Sequence, residues 1–250
     1  MGLLRRNAIR PGWPLWLLVA VLAVAGTAAE VFLVSKRPGK APVAAEGVIA
    51  ALGGFRSLAA EAVWFRADRL QEEGRYVELS QLASTLAFLE PHTPEVWSYS
   101  AWNLAYNISV MMPTPEDRWR WVAAAIRLLR DEGLKLNPDS PELCRELAWL
   151  FQLKIGGKID SASPLYREKW REIVEDAAKR NAWNELGMDK ERMRKVERVY
   201  GITDWTNPIS SALYWAYFGL KTAKGDTREF LREIERQCRI MLHASQARSV

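Results

Sequence analysis

Two histidines, His92 and His243, and two cysteines, Cys144 and Cys238, are all that this 250-residue chain offers of the side chains most used for nucleophilic catalysis and soft-metal binding. A Cys/His zinc centre needs four ligands at short paired spacings, and a disulfide framework needs more cysteines than two. No G-x-x-x-x-G-K-[ST], H-E-x-x-H, G-x-S-x-G or G-x-G-x-x-G occurs, so the common nucleotide, zinc-protease and serine-hydrolase constellations are absent. Gly156-Gly157-Lys158 has the composition of a phosphate loop, but no strand precedes it and it reads as a helix end. Asn107-Ile108-Ser109 is a glycosylation sequon by pattern only. Cys144 falls on a face expected to pack, as an inert buried thiol. His92, in a turn, and His243, in the final helix, read as surface or capping residues. The mixed-sign run Asp189 to Arg198 reads as a solvated helix face. The expected lists of catalytic residues, metal ligands and cofactors are therefore empty. An enzyme built on dispersed carboxylates remains an alternative.

Charge points to a membrane rather than to nucleic acid. The chain carries 35 basic and 30 acidic residues, a net of +5. Six of the basic residues (Arg5, Arg6, Arg10, Lys36, Arg37, Lys40) but only one acid, Glu30, lie in the first 40, so the rest balances at 29 of each sign. A polyanion-binding domain needs its cationic excess on the folded part. Here the excess flanks residues 15–34, LWLLVAVLAVAGTAAEVFLV, about the 20 apolar residues that cross a bilayer as one helix. Trp13 and Trp16 suit one interface and Glu30 is near the other. The expected organisation is a basic tail over 1–14, a transmembrane signal anchor over 15–34, a linker over 35–47 containing Pro38, Gly39 and Pro42, and a helical domain over 48–250. A signal peptide cleaved after Thr27-Ala28-Ala29 is the rival reading. The short arginine-bearing tail favours a single-pass protein of the bacterial cytoplasmic membrane, with its soluble domain outside the cytoplasm.

Beyond the linker, a recurring punctuation marks helix starts. Thr93-Pro94, Thr114-Pro115, Ser140-Pro141, Ser163-Pro164 and Asn207-Pro208 each set a capping oxygen before a proline whose missing N–H costs nothing at the first helical position. Asp226-Thr227-Arg228-Glu229 has the shape of a capping box. Between these marks apolar residues recur at three and four, as in Leu79, Leu82, Leu86, Leu89 and in Trp119, Val122, Ile126, Leu129, and alternating β-branched runs are missing. The expectation is an all-α array of eight or nine helices.

An internal repeat sharpens this. Leu89-Glu90-Pro91-His92-Thr93-Pro94-Glu95-Val96-Trp97 aligns with Leu136-Asn137-Pro138-Asp139-Ser140-Pro141-Glu142-Leu143-Cys144 at an offset of 47, and Ala101-Trp102 then falls on Ala148-Trp149. Gly74, Tyr76, Pro91, Trp97 and Ala101 stand in the phase of the tetratricopeptide (TPR) repeat, and the chain resembles that family over about 60–166. The likeness weakens over 207–242, where a degenerate repeat starts, and 170–205 departs from it. The resemblance implies an α-solenoid of helix-turn-helix units whose first helices line a concave groove, with an insertion at 107–114. Positions in that phase are Trp64, Asp68 and Gln71, then Glu95, Trp102 and Tyr106, then Glu142, Arg145, Trp149 and Gln152. Aromatic anchors flanked by charge suit a protein or peptide partner, so the resemblance implies a membrane-anchored interaction or scaffold module. A permanent structural subunit of a membrane complex is the alternative. Trp102 and Trp149, in the same phase of successive repeats, are expected to be partly accessible and close together.

Overall fold

The computed structural model describes residues 43–202 and 204–246. The basic tail and the apolar stretch 15–34 lie outside them, and among the described residues no helix is long and apolar enough to cross a membrane. The chain divides into two units, Met1–Phe65 and Arg66–Val250. The first unit contributes the beginning of helix α1 (Val43–Glu72), which starts inside the expected linker, directly after Pro42, because Val-Ala-Ala-Glu has nothing to break it.

All described secondary structure is helical. In the second unit α2 (Tyr76–Leu89) follows α1 after Gly74, whose φ of +70° makes the tight reversal that a side chain would strain. The next rod is α3 (Pro94–Trp102), a π-helical turn Asn103–Ile108 and a last turn α4 (Ser109–Met111). Its partner is α5 (Pro115–Arg127), a second π turn Leu128–Gly133 and α6 (Leu134–Leu136). Then come α7 (Pro141–Trp149) with a third π turn Leu150–Ile155, α8 (Ser163–Arg180), a 3-10 turn Trp183–Leu186, α9 (Lys190–Tyr200), α10 (Pro208–Thr222) and α11 (Gly225–Gln246).

The proline punctuation works largely as its chemistry requires. Thr114 Oγ1 accepts from the Asp117 amide at 3.1 Å, Ser140 Oγ from Leu143 at 3.4 Å and Asn207 Oδ1 from Ile209 at 3.0 Å. Thr93 precedes its helix without a side-chain cap bond, and Ser163 is already inside α8, whose N-cap is Ala162. Asp189 supplies a start that proline could not flag, accepting from the Arg192 amide at 2.8 Å.

The 47-residue repeat is reproduced turn for turn. Pro94–Trp102 and Pro141–Trp149 are both α-helical, and each passes at the same step into a six-residue π turn, Asn103–Ile108 and Leu150–Ile155. The expected insertion at 107–114 is a continuation of the first rod through its π turn, followed by a short connection. First helices lie beside first helices, α3 against α7 and α7 against α10, while α5 lies against α8 behind them. The closest approach is between α7 and α10, whose Ser211, Ala212, Ala216 and Gly219 are buried. A Cβ on Gly219 would come 2.9 Å from the Cys144 Cβ and from Leu231 of α11, so the junction of α7, α10 and α11 requires glycine there. One apolar core runs from Trp97 to Leu242, closed by aromatic contacts such as Phe151 on Trp170 at 4.6 Å and Trp119 on Tyr166 at 5.9 Å.

Candidate binding groove

The residues expected to line a groove separate into three groups. Trp64 lies in the first unit and is half-buried on α1. Asp68 and Glu95 are exposed, and Gln71 is tied down, its Oε1 accepting from the Tyr99 hydroxyl. Trp102 is 39% exposed and stacks on Tyr106 one helical turn later, with ring centroids 6.2 Å apart and planes at 28°. Burial raises the Tyr106 phenol, Glu146 adds to the shift and the Trp149 indole opposes it. Among the described residues the hydroxyl is buried with no hydrogen bond of good geometry, the Trp149 indole being its nearby polar neighbour. Burial likewise raises Tyr99, reinforced by the nearby Asp68 carboxylate.

The α7 members are arranged differently. The chain's own α11 lies across them, with Phe230 4.9 Å from the Trp149 ring and the Arg145 guanidinium 5.7 Å from the Phe230 centroid. Arg145 is also paired with Glu146 at 2.7 Å, and Glu142 accepts from the Ser140 hydroxyl as part of the helix cap. Gln152 is only 1% exposed, its Nε2 donating to Gln237 Oε1 of α11 at 2.8 Å. The reading of Gln152 as a groove residue is therefore corrected. The π turn adds a residue to the helical circuit and rotates the positions that follow, so Gln152 and its repeat equivalent Ala105 are both buried. Trp149 is corrected in degree, being half-buried beneath Phe230 while Trp102 stays uncovered.

Next to Tyr106 lies a polar cluster that sequence reasoning missed. Lys154, in the third π turn, and Asp160, in the loop that follows, form an ion pair of 2.7 Å with side chains 2% and 4% exposed. Asp160 also accepts from the Ala162 amide at 2.9 Å and the Tyr166 hydroxyl at 3.0 Å, and Arg118 of α5 stands 3.5 Å away. The Lys154 ammonium sits 5.1 Å from the centre of the Tyr106 ring, which joins the cluster to the groove. Burial works to raise Asp160, but Lys154, the Ala162 amide and the Tyr166 hydroxyl outweigh it and hold the carboxyl below its ordinary value. Burial pulls Lys154 down against the opposing pull of Asp160. Enclosed to this degree, the pair fixes geometry and offers no substrate an approach. The sequence signal available was a lysine set among Leu150, Phe151, Leu153 and Ile155, too ordinary to single out.

Of the other chemistry-bearing residues, His92 is exposed with Nδ1 3.0 Å from the Leu136 carbonyl at the end of α6, which is a capping position. His243 is exposed on α11, and Cys144 and Cys238 are buried free thiols. Among the described residues no three His, Cys, Asp or Glu side chains gather as metal ligands would. The run after Asp189 forms α9 with Met193, Val196 and Tyr200 turned inward and its charges in solvent except for Glu197, which is half-buried and accepts from the Trp205 indole at 2.7 Å. Trp102 is thus exposed and stacked on a half-buried Tyr106, while its repeat counterpart Trp149 lies under Phe230 of α11. No protein-family model, curated protein or solved structure matches the chain.

Proposed function

We propose that the protein is a membrane-anchored interaction module, with residues 15–34 as the anchor, whose TPR-like repeats receive a helix of a protein partner outside the cytoplasm. The observation that carries the reading is the unequal cover on two equivalent positions. Trp149 of α7 lies under Phe230 of an amphipathic helix, and Trp102, its counterpart 47 residues earlier on α3, has no such cover among the described residues. The face of one repeat thus has a helix seated on it and the face of the other presents the same aromatic anchor to solvent. Aromatic anchors of this kind supply most of the energy when an amphipathic helix enters a groove. Asp68 and Glu95, exposed acids of the same set, favour a partner helix with basic residues beside its aromatic; α11 itself is balanced, with Glu229 as well as Arg228 and Arg232 around Phe230.

The test uses α11 as its own probe. A labelled peptide of residues 225–246, titrated into the full-length chain and followed by fluorescence anisotropy, should bind saturably, and Trp102→Ala should weaken it by at least about fivefold. Binding that is indifferent to Trp102→Ala refutes the groove.

A permanent subunit of a membrane complex is the second reading, and one feature favours it. Val110, Met111 and Ile159 are exposed. Arg118 ties together the loops that follow and carry them, with Nε donating to the Met112 carbonyl at 3.0 Å and Nη1 3.5 Å from Asp160. A stoichiometric partner that survives gentle solubilisation would decide for this reading.

A further inference from the structure

A pocket of about 390 Å³ opens where the end of α6, the start of α7, the loop before α9 and the middle of α10 meet. It lies away from the groove residues and takes no part in the reading above. Trp215 and Phe218 supply an aromatic wall, and three cations, Arg130, Lys135 and Arg192, converge on it against a single lining acid, Asp139. The chain beyond residue 40 is balanced in charge, so this local cationic excess is a property of the pocket and not of the domain.

The cations are held in different ways. The Arg130 side chain is 11% exposed, and its stem runs directly beneath Gly187. A Cβ at Gly187 would stand 2.7 Å and 2.8 Å from the Arg130 Cγ and Cδ, and the residue has φ +65°, so the loop clamps the arginine only because glycine is there. Asp131 engages Nε and Nη2, which leaves Nη1 as a fixed donor. Arg192 lies over the Phe218 ring, 4.9 Å from its centroid, and is paired loosely with Asp139 at 3.9 Å. The Lys221 ammonium lies 4.4 Å from the centroid of that same ring.

We infer that this pocket binds a small organic dianion with a planar apolar body: the charge is taken by Arg130, Lys135 and Arg192, and the body lies against Trp215 and Phe218. The volume is within the range of small-molecule sites, and apolar walls with a few convergent polar groups are their usual construction. Arginine forks give a doubly charged oxyanion better geometry than lysine alone provides.

Isothermal titration calorimetry of the full-length chain at pH 7.5 with phenyl phosphate tests this. Inorganic phosphate carries the charge without the body, and benzoate carries the body with one charge fewer. Phenyl phosphate should bind about tenfold more tightly than either. Arg192→Gln and Lys135→Gln, both at exposed side chains whose loss leaves the core intact, should each weaken it by about tenfold, whereas Lys158→Gln at a remote exposed cation should leave it unchanged. No heat up to ~10 mM phenyl phosphate, or equal losses from Lys158→Gln and Arg192→Gln, would overturn the inference.

Discussion

Replacing Asp160 by alanine removes the acceptor on which three elements converge. The Lys154 ammonium, 2% exposed, would lose its partner at 2.7 Å, the Tyr166 hydroxyl its acceptor at 3.0 Å and the Ala162 amide its acceptor at 2.9 Å. Breaking a buried pair from one side costs about 3 to 5 kcal/mol, mostly because a charge is stranded away from water. For a domain of this size that corresponds to a fall in melting temperature of roughly 6 to 20 °C. Removing both charges, as in Lys154→Met with Asp160→Leu, leaves no buried charge without its partner, although the Tyr166 hydroxyl and the Ala162 amide still lose their acceptor, and should recover at least about 2 kcal/mol of the loss. Urea melts of the full-length chain followed by far-ultraviolet circular dichroism compare the three proteins. The carboxyl also has a signature in acid. Its folded pKa lies below the unfolded value of about 3.9, so its contribution is complete above that value and disappears as pH falls through the lower, folded one. Asp160→Asn should therefore flatten the acid limb of the stability profile. A cost under about 1 kcal/mol for Asp160→Ala, or a double variant no more stable than the single one, would refute the view that this cluster fastens the α5 and α7 rods.

Two further outcomes follow from burial. Trp102→Ala should cost under about 1.5 kcal/mol, whereas Trp149→Ala, which empties the space beneath Phe230, should cost about 3 kcal/mol; denaturant melts giving equal losses would contradict the unequal cover on the two repeats. Burial pushes the Cys144 and Cys238 thiols up to about 12, so neither should react with a thiol reagent at a pH of about 8 until the chain is unfolded, when both should; rapid labelling of the native protein would show that the α7, α10 and α11 junction opens.

How far the sequence reached can be followed along the α3 and α7 rods. Threonine or serine before Pro94, Pro115 and Pro141 marked the starts of three helices, because the missing proline N–H and, at Thr114 and Ser140, the side-chain cap are local effects that need no neighbour to operate. The 47-residue repeat was legible for the same reason: similar local signals make similar helices, and both copies begin and turn π-helical at matching residues. The likeness to the TPR repeat led to the expectation that Trp102 and Trp149 are both partly accessible, and Trp102 is 39% exposed with no later described element over it.

Phase failed where it changed or where a distant segment arrived. The π turns were invisible, since an i to i+5 turn is selected by packing around it and not by a residue signature, and Gln152, expected on an accessible face, lies in the third of them and is buried. Nothing in the residues around Trp149 announces Phe230, far along the chain in α11. Whether α11 lies over α7 is set by the close seat that Gly219 and the small residues of α10 provide. Lys154 and Asp160 likewise each look ordinary in sequence, and their meaning comes from the desolvation they share with Tyr166 and Arg118. Sequence alone determined where several helices begin, that a 47-residue unit repeats and that the chain beyond residue 40 is charge-balanced, because those properties depend on neighbours within a few residues or on composition. The tertiary structure decided which aromatic is covered, which charges are buried and where cations converge, because burial and electrostatic pairing depend on distance in space.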